Sequence, residues 1–212
     1  MPHKSRWTIS IPDCSLPTFL FQSASHVEPS DVANKKAYID ASKPETDYFT
    51  RQSFKLWSQR FALGLSYMPG FGPGDRVLVF SGNNLAIPVA FMGILMAGGV
   101  FTAANPTFVP RELANQLKDS GACYLLCAES SLDTALEAAK IAGLDKDRIR
   151  YIDADMLFRK GAAESKKAIS GVRYWSDIFA DEKPARKYQW PELKGRSHRF
   201  LDLELRFLCD GA

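Results

Sequence analysis

The sequence predicts an α/β fold, a parallel sheet flanked by helices, and three observations carry that expectation. Short apolar runs rich in Val, Leu, Phe and Cys alternate with longer helix-like stretches between residues 77 and 152. The runs are apolar almost throughout rather than at every second residue, as strands are when helices cover both faces of their sheet. Gly and Pro punctuate the joins, at Pro69-Gly70, Gly98-Gly99, Gly121 and Gly143.

Taken in order, Ala37 to Asp40 and Asp47 to Phe49 flank the polar Ser42-Lys43-Pro44-Glu45 and read as a small hairpin. Thr50 is a good N-cap, and Phe54, Trp57, Phe61, Leu65 and Met68 recur at threes and fours, so a core-facing helix runs from there to Pro69-Gly70. A strand is expected over 77–80, a completely buried helix over 84–97 and a buried strand over 100–103. Pro110 suits the first turn of a helix that passes through Glu112, Leu113 and Leu117 to a stop at Gly121. Residues 123–127 form the next strand, with Cys123 and Cys127 on one face as two core thiols. A helix over 131–142 closed by Gly143 and a strand over 149–152 continue the alternation. Beyond Asp153 the chain turns polar, and the expectation is a surface excursion that includes the aromatic island from Tyr174 to Phe179. Leu201, Leu203, Leu205 and Phe207 alternate with polar residues, the pattern of a half-exposed strand.

Composition excludes several classes of function. The 212 residues are 46% hydrophobic and 24% charged, ordinary for a globular chain with a sizeable core. A net charge of +3, with both signs interspersed, gives no electrostatic hold on nucleic acid. Residues 85–104 carry no charge and reach the length of a membrane span, but Gly98-Gly99 divides them into a helix and a strand, so no transmembrane segment is expected. The basic start, Met1 to Arg6, lacks an apolar core behind it because Pro12, Asp13 and Pro17 intervene, and the cytoplasm is the expected location. Cys14, Cys123, Cys127 and Cys209 form no disulfide framework, and His3, His26 and His198 lie far apart, so no metal ligand is identified.

The candidate site residues sit where strands end. Ser81-Gly82-Asn83-Asn84 lies between a strand and a helix, the position at which open sheets hold ligands, although helix capping by Asn83 or Asn84 competes with ligand contact. Asn105-Pro106-Thr107 follows the next strand and is also a turn signal. Ser81, Gly82, Asn83, Asn84, Asn105 and Thr107 are therefore the cleft-rim candidates for binding. Gly70-Phe71-Gly72-Pro73-Gly74 resembles a phosphate loop by eye, yet it follows a helix and opens a strand, the reverse of what anion binding needs. The pairs Asp145 with Asp147 and Asp153 with Asp155 stand beside Lys146, Arg148 and Arg150, as solvated salt bridges do. No catalytic residue emerges from the residues alone.

A run of phrases, Gly74-Asp75-Arg76-Val77, Gly93-Ile94-Leu95-Met96-Ala97-Gly98-Gly99-Val100, Asn105-Pro106-Thr107-Phe108, Arg111-Glu112-Leu113 and Asp119-Ser120-Gly121-Ala122, matches in order and spacing a known pattern. The chain resembles the N-terminal subdomain of AMP-forming acyl-CoA synthetases, most closely the 4-coumarate:CoA ligase branch, from about Tyr38 to the familiar Trp190-Pro191-Glu192-Leu193. The resemblance implies a 37–193 partial AMP-dependent ligase domain between a 1–36 extension and a divergent 194–212 tail. In the full-length family, ATP, magnesium and coenzyme A turn a small carboxylic acid first into an acyl-adenylate and then into a thioester. The family's phosphate loop should follow Leu193, and Lys194-Gly195-Arg196-Ser197-His198 stands there instead. The sequence thus predicts a truncated fragment without independent adenylation activity and with no cofactor of its own. Alternatives are one half of a split ligase or a non-enzymatic interaction module, whose protein partner would cover an exposed subdomain face.

Overall fold

The computed structural model describes residues 13–22 and 34–192. The chain divides into two compact units, one of residues 1–27 with 192–212 and the other of residues 28–191. The first unit holds α1 (Leu16–Phe21), capped by the Ser15 side chain, which accepts from the Thr18 amide at 3.4 Å. Glu192 completes that cap, accepting from the Ser15 amide and hydroxyl at 3.1 and 3.0 Å and from the Thr18 hydroxyl. His3, His26, His198 and the alternating 201–207 segment lie outside the described residues.

The second unit opens with the antiparallel hairpin β1 (Lys36–Ile39) and β2 (Tyr48–Thr50). Thr50 and Ser53 exchange side chain to backbone bonds in a capping box that starts α2 (Arg51–Ser66). Then follow β3 (Arg76–Phe80), α3 (Ala86–Met96), β4 (Val100–Ala104), α4 (Pro110–Ser120), β5 (Ala122–Ala128), α5 (Leu132–Ala142) and β6 (Ile149–Ile152). Short helices α6 (Asp155–Phe158) and α7 (Ala162–Ser165) precede β7 (Arg173–Tyr174), and α8 (Glu182–Ala185) is the last element among the described residues. The sheet is wholly parallel in the order β4-β3-β5-β6-β7. The step from β3 to β4 runs one way and the steps from β4 to β5 and β6 run the other. Right-handed crossovers therefore set α3 on one face, where it packs on α2, and α4 with α5 on the opposite face. A Cβ added to Gly93 would stand 2.6 Å from the Phe61 ring and 3.0 Å from the Ser58 carbonyl, so glycine is what lets α2 and α3 approach so closely.

Six expectations need correction. The helix α2 ends at Ser66, before Pro69-Gly70. α3 is not completely buried, since Phe91 and Leu95 are half-exposed, and β4 is no buried strand: as the outermost strand it shows Val100 to Thr102 half-exposed and Ala103 exposed. Of Cys123 and Cys127, only Cys127 is a core thiol. In the ladder to β3, Ala122 stands opposite Arg76 and Tyr124 opposite Val77, so Cys123 is an extra, half-buried residue in a bulge. The aromatic island is core rather than surface, because Tyr174 extends the sheet as β7 and Trp175 is 0% exposed. Its indole meets Phe61 and Phe179 at ring separations of 5.7 and 4.9 Å. Arg150 is likewise no solvated partner: at 1% exposure it reaches Asp177 at 2.8 and 3.0 Å and donates to the Asp147 and Ile149 carbonyls. A charge so deeply buried is retained only when paired and hydrogen-bonded.

Candidate functional site

The carboxyl ends of the parallel strands gather along one edge of the sheet. The chain leaves β3 for α3 on one face and β5 for α5 on the other, so the two strands flank the point at which connections reverse, where open sheets form a crevice. An open crevice of about 550 Å³ lies there, lined by Asn84, by Ala128, Glu129 and Ser130 at the end of β5, and by Ile152, Asp153 and Ala154 at the end of β6. A second cavity of about 310 Å³ lies between the ends of β3 and β4.

The six candidates divide between these places. Asn84 reaches the crevice, but its amide is occupied: Oδ1 accepts from the Ala86 amide at 2.8 Å, and Nδ2 donates to the Ser81 hydroxyl and the Gly82 carbonyl at 3.1 Å each. Those bonds turn the chain from β3 into α3, which is the capping alternative. Ser81, Gly82 and Asn83 line the second cavity, and Ser81 donates to the Gly82 carbonyl at 3.0 Å. Asn105 and Thr107 line neither. The Asn105 Oδ1 accepts from the amide and the hydroxyl of Thr107 at 3.1 and 2.9 Å, an exposed turn whose middle residue, Pro106, does reach the cavity.

Sequence reasoning missed the acidic rim of the crevice. Glu129 and Asp153 directly follow β5 and β6, a signal available once those strands were recognised. Lys166 gathers them, with its ammonium 2.7 Å from Asp153, 3.6 Å from Glu129 and 3.7 Å from Asp155. The hydrogen bond to Asp153 holds the Lys166 pKa above the ordinary lysine value, and the charges of all three carboxylates add to it. The other Asp153 oxygen accepts from the Tyr174 hydroxyl and from the Asp155 amide. Burial first, and then that bond, push the Tyr174 phenol far above the ordinary tyrosine value.

This arrangement does not fit the triphosphate of ATP. Two carboxylates face the crevice, the nearby ammonium is already shared among three acids, and none of the seven lining residues is a cation. Among the described residues no three His, Cys, Asp or Glu side chains are grouped to hold a metal ion. No helix there is long and apolar enough to cross a membrane.

Comparison with known proteins agrees with this architecture. Residues 27–189 match the family of AMP-binding enzymes. The chain is 31% identical over 142 residues to the phenylacetyl-CoA ligase of Aspergillus niger, covering 67% of this chain and 25% of that protein. It is 42% identical over 120 residues to a long-chain-fatty-acid–CoA ligase of Escherichia coli O157:H7, covering 57% of this chain and 20% of the relative. The chain thus spans a quarter or less of the length of these curated relatives. Among solved structures, a red-emitting luciferase from Phrixothrix hirtus superimposes with a TM-score of 0.69 at 21% identity, over 92% of this chain and 43% of that one, which speaks to the fold. On the match over residues 27–189, the chain belongs to the AMP-binding enzymes, the adenylate-forming superfamily, with acyl-CoA ligases among its homologues.

Proposed function

We propose that this chain is the N-terminal α/β portion of an acid:CoA ligase of the 4-coumarate:CoA ligase kind, and that these residues alone do not adenylate an acid. In the complete ligase a carboxylate would attack the α-phosphorus of ATP, pyrophosphate would leave, and the thiol of coenzyme A would then displace AMP. The first of these steps demands positive charge or aligned donors where the pyrophosphate departs. The observation that carries the proposal is the opposite character of the crevice, with Glu129 and Asp153 on its rim and the Asn84 amide spent on the turn. Ser81, Gly82, Asn83, Asn84, Asn105 and Thr107 then serve as framework at the strand ends, and a small carboxylic acid and coenzyme A are substrates of the whole ligase rather than of this portion. The uncharged outer strand β4, with no neighbour on its far side among the described residues, supports a reading in which further ligase polypeptide, in the same chain or another, covers that edge.

Isothermal calorimetry with ATP and magnesium tests the reading. The 212-residue chain is expected to give no saturable heat at millimolar nucleotide, and sub-millimolar binding that survives 0.5 M salt would overturn it.

A further inference from the structure

The cavity between β3 and β4 has a character unlike the acidic crevice. Its floor is made by the buried Val79 and Ala104, and its walls by Ile87 and Phe101. The Phe101 ring packs on Phe91 at a separation of 5.1 Å and an angle of 82°, an edge-to-face contact that holds an aromatic residue in the lining. At the mouth stand Ser81, Gly82 and Asn83, and no residue lining the cavity is charged. The exposed Asn83 amide makes no hydrogen bond to another described residue, so it keeps both its donor and its acceptor. The volume of about 310 Å³ suits a single ring with small substituents.

We propose that this cavity is a binding site for a small, uncharged aromatic molecule bearing one hydroxyl, a phenol. The ring lies against Phe101 and the apolar floor, while the hydroxyl meets Asn83 at the mouth. A carboxylate is disfavoured at the same place, because none of the lining residues is a cation that would offset the loss of its hydration. The proposal stands apart from the ligase reading, since it involves neither ATP nor an acid.

Gly82 makes the test clean. A Cβ added there meets no heavy atom within 4 Å, and its φ lies outside the left-handed region, so a larger residue can be placed at the mouth without strain. The 212-residue chain, its Gly82→Leu variant and its Asn83→Ala variant are titrated with phenol and with benzoate at pH 7, with amide chemical shifts followed by NMR. Thermal melting of each variant confirms folding. The expected result is saturable phenol binding with shifts centred on residues 79–106, at least tenfold weaker in Gly82→Leu, several-fold weaker in Asn83→Ala, and at least tenfold weaker for benzoate. Undiminished phenol binding by a folded Gly82→Leu variant overturns the proposal, as does benzoate binding equal to phenol or the absence of a saturable phenol response in the unaltered chain.

Discussion

Arg150 shows how one side chain sets the local architecture. Its guanidinium ties β6 to Asp177, which lies 27 residues further along and just after β7, and Arg173 reaches the same carboxylate at 3.2 Å. Asp177 is exposed and keeps Arg173, so removing Arg150 chiefly empties buried volume and leaves the Asp147 and Ile149 carbonyls without their donor, whereas an apolar residue of similar length keeps the packing. Urea melts should accordingly show Arg150→Ala losing about 3 kcal/mol, and Arg150→Met losing clearly less. Equal losses would mean that the arginine acts through its ion pair and hydrogen bonds rather than through packing. Gly64 is constrained in a different way, because a Cβ there would lie 1.4 Å from the Ile178 carbonyl oxygen. Gly64→Ala should cost about 3 kcal/mol, the upper end of what overpacking does, and an unaffected melt would show that α2 stands further from that loop.

At the scale of elements, the segment that closes the sheet is the most consequential. Trp175 sits between Phe61 of α2 and Phe179, so Trp175→Ala should destabilise the fold by about 3–5 kcal/mol in a denaturant melt, and a change below about 1 kcal/mol would return the island to the surface. The capping box predicts a smaller effect, with Thr50→Ala costing about 1 kcal/mol. These two elements also mark what the sequence makes legible. Thr50, the threefold and fourfold spacing behind it, Pro110 before α4 and Gly121 after it are local signals, and the elements they announce are found within a few residues of the expected places. The island is a short aromatic run without period, and β7 is two residues long and pairs only with β6, so its place depends on a sheet that must form first. The exposure of β4 follows from strand order, which no strand's own sequence states. The same holds for the site: the turns after β3 and β4 are readable as strand ends, but that Asn84 faces Glu129 and Asp153 while Ser81 and Asn83 face Pro106 follows from β5 lying on one side of β3 and β4 on the other.

For the molecule as a whole, the buried acids and thiol share one tendency. Burial pushes the Cys127 thiol up from its ordinary 9.0 to about 12, and burial likewise raises Tyr151, Tyr174 and Tyr188 above their ordinary 10.0. The folded chain therefore holds these protons more tightly than the unfolded chain. Their contribution to stability is present in full below about pH 9 and is lost as pH rises through the range from 9 to 12. Melting temperature should be level between pH 7 and 8.5 and fall steadily above 9, with tyrosinate absorbance appearing together with unfolding. A melting temperature that stays level to pH 11 would contradict the burial of these groups.

On the function proposed above, these 212 residues, which have the fold and family of the adenylate-forming enzymes, carry framework rather than chemistry. ATP–pyrophosphate exchange in the presence of magnesium and a panel of aromatic and fatty acids measures this directly, since it reports acyl-adenylate formation without requiring the thioester step. No exchange above background is expected from the isolated chain with any acid. Exchange that depends on both the acid and magnesium would overturn that function, for it would mean that the strand-end residues themselves stabilise the departing pyrophosphate.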